Sequence, residues 1–172
     1  MKAFFTWAVD KARGGHPFWL NVFFKKTLPF NGPHGIRIVE MGNSLVRVLL
    51  PDRRRNKNHL NGMHACAMAT ACEFTSGLAV LERFNMEDYR LIMHRLEMDY
   101  HRRPSRGACE SRAAIPQALE QEIRDELASS KDRASRFSMV SELFDSEGQR
   151  VATATVHWHV KPWDAVKFGR TS

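Results

Sequence analysis

The stretch NHLNGMHACAMATACEFTSG, residues 58–77, decides how this chain folds. Between residues 65 and 80 nearly every side chain is small or apolar, so a helix formed here is apolar on all faces and must be buried. Glu73 is the only charged residue in that segment. Because a buried carboxylate without a partner is costly, it should be paired, protonated or kept for a purpose. The pattern predicts a buried helix over residues 62–83 and makes Glu73 a candidate functional residue.

Alternation of apolar and polar residues predicts strands on both sides of this helix. In residues 89–101 it places Ile92, His94, Leu96, Met98 and Tyr100 on one face, which predicts a half-buried strand. An amphipathic helix is expected from residue 117 to residue 130. The other predicted strands are residues 36–41, 44–50, 108–116, 135–144 and 150–160, with turn signals at 42–43 and 145–148. We therefore expect an α+β fold in which a curved antiparallel sheet wraps the long central helix.

The chain of 172 residues is long enough for one full hydrophobic core. We expect a helical N-terminal extension over residues 1–34 and the wrapped sheet over residues 35–172. The extension is rich in aromatic residues and interrupted by Gly14, Gly15 and Pro17. It either packs against the domain or serves as a segment that lies on a membrane surface or covers an acyl chain.

The net charge of +7 favours a polyanionic partner such as nucleic acid, anionic lipid or coenzyme A. No helix-turn-helix, zinc-binding or aromatic-basic motif is visible, which argues against nucleic acid, and the His and Cys spacings do not suit a metal. No apolar run reaches the roughly 20 residues that span a bilayer, so we expect no stable membrane insertion. The charged N-terminus is unlike a signal peptide, and with three cysteines expected as buried reduced thiols it indicates a cytoplasmic protein.

Four residues carry a resemblance to a known family. Asn58, Gly62 and His64 follow the spacing N-x-x-x-G-x-H, and Glu73 lies nine residues after the histidine. In this respect the chain resembles the hotdog-fold thioesterases of the phenylacetyl-CoA thioesterase type, over roughly residues 35–163. The family motif continues with two glycines after the histidine, whereas this chain has Ala65 and Cys66, so the backbone there is less open to a thioester.

The resemblance implies the hotdog fold and hydrolysis of an acyl-CoA thioester, with coenzyme A as part of the substrate and no other cofactor. It implies that Asn58 helps to bind the carbonyl oxygen and that the protein is a homodimer, which could assemble further into a tetramer. Glu73 could act as a general base on water or as a nucleophile, and backbone N–H groups near His64 and Ala65 could polarise the carbonyl. The predicted substrate-binding residues are Asn61, Gly62, Arg53, Arg54, Arg55, Arg102 and Arg103, the arginines being candidates for the phosphates.

The spacing between His64 and Glu73 restricts how a site could form. If His64 is already helical, nine residues of α-helix correspond to about 900° of rotation and about 13.5 Å of rise, and the two residues lie on opposite faces. A site that uses both therefore needs two chains. The alternatives are an acyl-binding protein without catalysis, a hydratase or dehydratase of the same fold, a structural role for Glu73, a capping role for His64, and a thiol nucleophile at Cys66.

Overall fold

The computed structural model describes residues 2–42 and 45–166. Its six strands form one antiparallel sheet in the order β1-β2-β4-β5-β6-β3. The strands are β1 (Arg37–Gly42), β2 (Leu45–Leu50), β3 (Tyr89–Tyr100), β4 (Cys109–Ala113), β5 (Ser135–Phe144) and β6 (Arg150–Pro162). The helices are α1 (Lys2–Arg13), α2 (Phe18–Thr27), α3 (Ala65–Arg83) and α4 (Gln117–Ser129). The predicted α+β architecture is confirmed.

Helix α3 lies in the concave side of the sheet, where it contacts β2, β4, β5 and β6. Its residues from Phe74 to Val80 are all buried, as the sequence of small and apolar side chains requires. Trp158 of β6 packs against α3 at Ser76 and Gly77. The indole N–H donates to Ser76 Oγ over 2.8 Å, and a Cβ on Gly77 would lie only 3.2 Å from the ring. The glycine therefore lets sheet and helix approach closely.

Helix α3 begins at Ala65, three residues later than expected. His64 has an extended backbone (ψ 134°), and its Nδ1 accepts a hydrogen bond from the Cys66 N–H. It is therefore the residue that caps the helix rather than a residue within it.

The expected half-buried face of β3 is wrong in detail. The strand lies at an edge of the sheet, and a bulge between Met93 and Arg95 shifts its register. Before the bulge, Met93 is opposite the inward-facing Trp158, so Ile92 and His94 do not share a face with Leu96. Ile92 lies on the face opposite to Met93 and is 48% exposed.

The N-terminal helices close the opposite edge of the sheet. Asn21 of α2 uses its side-chain amide like a neighbouring strand: its Nδ2 donates to the Ile38 carbonyl and its Oδ1 accepts from the Ile38 N–H, both over 2.8 Å. The rings of Phe24 and Phe74 meet edge to face at 5.3 Å, which joins α2 to α3. The extension is helical, as expected, and packs on the core. The domain boundary at residue 35 remains a prediction.

Three further expectations can be compared with the structure. Cys72 and Cys109 are buried free thiols, but Cys66 is exposed, because it lies at the open N-terminal end of α3. Over residues 2–42 and 45–166, no helix has the length and apolar character needed to cross a membrane. Asn43 of the first turn signal and the last six residues of the predicted domain, 167–172, lie outside the described residues.

Candidate functional site

Glu73 lies in the middle of α3 and forms part of the wall of a cavity of about 310 Å³, which we call the Glu73 cavity. The other walls are mostly apolar and come from α2, α3, the beginning of β3 and two tryptophans. They include Phe24, Leu28, Phe74, Gly77, Leu78, Leu81, Tyr89, Leu91, Trp158 and Trp163. The small residues expected around Glu73 are represented there by Gly77. The cavity has the size and apolar character of a small-molecule site.

The Glu73 carboxylate is partly buried and makes no hydrogen bond or ion pair with the described residues. Burial penalises the charged form and raises the pKa of Glu73 to about 7. At neutral pH the carboxyl group is therefore protonated in about half of the molecules and ionised in the rest, which suits proton transfer. The structural alternative, a Glu73 paired with a cation, has one candidate partner: Arg90 lines the same cavity, and its buried Nε has no hydrogen-bond partner among the described residues.

The loop that leads into α3 is closed by Asn58. Its Oδ1 accepts hydrogen bonds from the N–H groups of Leu60 and Gly62, each over 3.0 Å. Its backbone N–H donates to the Gly62 carbonyl, and Asn61 takes a positive φ of 57° to complete the turn. The Asn58 side-chain oxygen is thus used within the loop, while its NH₂ group has no partner among the described residues. That NH₂ group is the part of Asn58 available to a carbonyl oxygen.

Asn56 fixes the position of this loop, and the sequence analysis did not identify it. It is fully buried, and its NH₂ group donates to the carbonyls of His34 and Pro51. Its Oδ1 lies 2.9 Å from His34 Nδ1, and its own carbonyl accepts from the His64 N–H over 2.7 Å. The signal that could have revealed Asn56 is weak, since one asparagine in a polar loop is ordinary and only the fold buries it.

His64 and Ala65 are both exposed at the N-terminus of α3. His64 Nδ1 accepts a hydrogen bond from the Cys66 N–H. Among the first residues of α3, the N–H groups of Ala65 and Ala67 therefore remain without an acceptor in the described structure. They lie at the positive end of the helix dipole. His64 precedes the first residue of α3 and Glu73 is its ninth, so one chain does not bring the two together.

Beside the loop lies a polar cleft of about 600 Å³, which we call the basic cleft. It is lined by Asn61 and Gly62, which were predicted to bind substrate, and by Arg103, whose guanidinium donates to the Leu60 carbonyl over 3.2 Å. Arg106 also lines it and was missed, although it belongs to the same basic loop as Arg103. Lys57 is there too but is paired with Asp52 over 2.9 Å. Arg103 and Arg106 are therefore its unneutralised cations.

The other predicted arginines are dispersed. The guanidinium of Arg53 packs directly against Gly35, whose φ of +65° suits a residue without a side chain. Arg54 lines a second opening on the other side of Lys57, while Arg55 and Arg102 line neither that opening nor the basic cleft. Adjacent residues of a short 3₁₀ turn point in different directions, so a run of three arginines does not form one patch here.

A family model described as a domain of unknown function, DUF4442, matches residues 19–160 of the chain. This match begins in α2 and ends near the end of β6. None of the curated proteins matches the sequence.

Solved structures with the same architecture include three from different bacteria. A protein of unknown function from Pseudomonas aeruginosa, described as a probable thioesterase, is 20% identical with a TM-score of 0.73, over 83% of this chain and 93% of that one. A protein of unknown function from Chlorobaculum tepidum is 14% identical with a TM-score of 0.73, over 83% and 91%. A mutant of a thioesterase enzyme from Staphylococcus aureus is 13% identical with a TM-score of 0.63, over 78% and 99%. These likenesses establish the hotdog fold.

The unpaired state of Glu73 predicts a stability that depends on pH. Between pH 4.5 and 7 the folded chain keeps a proton that the unfolded chain has lost, so ionisation of Glu73 lowers stability as pH rises. The Glu73→Gln variant lacks this penalty. It should be about 1–3 kcal/mol more stable than wild type at pH 8, with the difference approaching zero near pH 4.5.

Urea unfolding of both proteins at several pH values measures this difference. Glu122→Gln, which changes an exposed carboxylate on α4, is the control and should show no such trend. A Glu73→Gln protein less stable than wild type at pH 8 would mean that Glu73 has a cationic partner in solution.

Proposed function

Because the chain belongs to the DUF4442 family and has the hotdog fold, we propose that it is an acyl-CoA thioesterase. The observation that carries this proposal is Glu73, a carboxylate without a partner among the described residues and with a pKa of about 7, in the wall of a mostly apolar cavity. The descriptions of the Pseudomonas and Staphylococcus structures agree with this activity. The acyl group would occupy the Glu73 cavity, where its transfer from water is favourable.

The proposed reaction uses Glu73 as a general base. Its carboxylate takes a proton from water while the water oxygen adds to the thioester carbonyl carbon. Negative charge then develops on the carbonyl oxygen, which the N–H groups of Ala65 and Ala67 and the NH₂ group of Asn58 can stabilise. Breaking of the C–S bond releases the carboxylic acid product and a thiolate, which recovers the proton from Glu73. Attack by Glu73 itself would give an anhydride that water then hydrolyses.

The proposed active site belongs to a homodimer. Glu73 of one copy would act with the helix-entry loop of the other, because within one chain about 12 Å of helix rise separates the start of α3 from Glu73. The surface available for pairing is β3, an edge strand of twelve residues with exposed Ile92, Met93 and Tyr100. The opposite edge, β1, is occupied by α2. Since the beginning of β3 lines the Glu73 cavity, a second copy paired there would also cover its open side.

The basic cleft is proposed to hold the phosphates of coenzyme A. Arg103 and Arg106 can donate charge-assisted hydrogen bonds to phosphate oxygens. The cleft adjoins the loop that would bind the thioester carbonyl, so one extended ligand could reach both regions. The chain's excess of positive charge would then serve recognition of its substrate.

A second candidate function is acyl binding without hydrolysis. It is favoured by one observation: Ala65 and Cys66 replace two glycines of the family motif, and the Cys66 N–H is already bound to His64. Fewer free donors and added methyl groups would weaken stabilisation of the oxyanion. Such a protein would bind acyl-CoA and release it unchanged.

Replacement of Glu73 tests the proposed catalysis. Glu73→Gln keeps the shape of the side chain but cannot accept a proton, so hydrolysis of the best acyl-CoA in a panel of short, long and aryl substrates should fall roughly 10²–10⁴-fold. In the wild type, kcat/KM should rise from pH 6 to pH 8 with a midpoint near 7, as Glu73 loses its proton.

The control for this experiment is Glu122→Gln, which should keep full activity. A folded Glu73→Gln protein that hydrolyses at the wild-type rate would exclude Glu73 as base or nucleophile. A folded wild type that binds acyl-CoA but hydrolyses none would leave the second candidate function.

A mixture of two inactive variants tests the shared site. Glu73→Gln and Asn58→Ala should each be nearly inactive alone. After unfolding and refolding together, half of the dimers would be mixed, and each mixed dimer would contain one intact site and one with both changes. Activity should therefore recover to about a quarter of the wild-type value, since one site in four is intact. No recovery, with mixed dimers verified by mass spectrometry, would place the whole site within one chain.

Replacement of the cations in the basic cleft tests how coenzyme A is recognised. Arg103→Gln combined with Arg106→Gln should raise KM for acyl-CoA roughly tenfold or more. The same acyl thioester of N-acetylcysteamine, which has no phosphates, should be hydrolysed as before. Lys131→Gln combined with Arg136→Gln removes two exposed charges elsewhere and is the matched control. An equal loss on both substrates would assign the two arginines to folding of the loop.

A further inference from the structure

Four aromatic side chains form a continuous exposed surface on α1 and α2, which we call the aromatic patch: Phe4, Trp7, Phe18 and Trp19. Each is between 38% and 64% exposed. The ring centroids of neighbours within the patch lie 5.1–6.4 Å apart, so the four side chains act as one surface. Grouped exposed aromatics of this kind are unusual on a protein surface that meets only water.

The aromatic patch is not needed to attach the helices to the domain. A different set of aromatic residues, Phe5, Phe23 and Phe24, is buried against the core from the same two helices. The pair of helices α1 and α2 is thus apolar both toward the core and on part of its outer face. The outer aromatics therefore call for a binding partner of their own.

Lysines flank the aromatic patch. Lys11 follows Phe4 by seven residues along α1, and its Nζ lies 5.9 Å from the ring of Trp7. Lys25 and Lys26 follow Phe18 and Trp19 by seven residues along α2, so each lies on the same helix face two turns away.

The two helices are antiparallel, since Phe4 contacts Phe23 while Trp7 contacts Trp19. The lysine of α1 and the lysines of α2 therefore lie at opposite ends of the aromatic patch. Residues 1–34 contain five Lys or Arg and one Asp, a net charge of +4 out of +7 for the chain.

The aromatic patch is also close to the Glu73 cavity. Phe24 and Leu28, from the last turn of α2 and the residue after it, line the cavity, and Leu28 is itself 38% exposed. Helix α2 thus contributes both to the aromatic patch and to the wall of the cavity.

We propose that the aromatic patch docks on the surface of an anionic phospholipid bilayer. Tryptophan favours the interface between lipid and water, where its ring is buried and its N–H stays hydrated. Lysines at both ends of the patch would contact the phosphate groups of anionic lipids. A second copy of the chain is a poorer partner, because a symmetric contact would bring two groups of lysines together. The inference goes beyond the proposed function, since docking requires no hydrolysis.

Vesicle cosedimentation tests the proposal directly. The full chain should sediment with vesicles of phosphatidylcholine and phosphatidylglycerol and much less with vesicles of phosphatidylcholine alone, and salt should reduce binding. Trp7→Ser combined with Trp19→Ser should reduce the bound fraction at least tenfold. Val140→Ser, which replaces an exposed apolar residue on the outer face of β5, is the control and should bind as wild type.

The charge contribution is tested separately. Lys25→Gln combined with Lys26→Gln should weaken binding to the anionic vesicles severalfold, whereas Lys131→Gln combined with Arg136→Gln should not. Circular dichroism and thermal melting establish that each variant is folded. Wild-type protein that fails to bind the anionic vesicles would overturn the proposal. Binding of the tryptophan variant at the wild-type level would overturn it as well. If the wild type fails to bind vesicles and the tryptophan variant has a different oligomeric mass from the wild type, the patch is a protein contact instead.

Discussion

Burial of α3 is the constraint on which the rest of the structure depends. A helix that is apolar on every side cannot lie on the surface of a sheet, because half of it would face water. The sheet must therefore curve, and β2, β4, β5 and β6 supply the covering surface. Close contact at Gly77 and the indole of Trp158 lets this curvature fit tightly around the helix. Glu73 is held within this packed environment and is desolvated by it, so fold and site chemistry have one cause.

One edge of the sheet is covered by helices and the other is not, and this difference decides where another chain could pair with the sheet. At β1, the side chain of Asn21 satisfies the backbone of Ile38, and two helices cover the strand. At β3, twelve residues keep one side without a neighbouring strand in the described structure. Edge strands that remain open invite pairing. The N-terminal helices thus leave β3 as the open edge of the described sheet, and the beginning of this strand also borders the Glu73 cavity.

The sequence predicts those features that follow from local periodicity. The wrapped helix, the strands and Glu73 were all visible because apolar spacing and one isolated charge are local signals. The bulge in β3 was not, because it depends on pairing with β6 rather than on the composition of β3. Asn56 was missed for a similar reason, since its burial arises from three loops that meet only in the folded chain. The three arginines of residues 53–55 are adjacent in sequence and were expected to form one cluster, but adjacency does not reveal the direction in which each side chain points.

The His64 cap links the altered motif to the electrostatics of the site. By accepting the Cys66 N–H, His64 Nδ1 satisfies one of the donors that a helix N-terminus leaves free, and it removes that donor from a ligand. In the proposed reaction the oxyanion would therefore bind the N–H groups of Ala65 and Ala67 rather than that of Cys66.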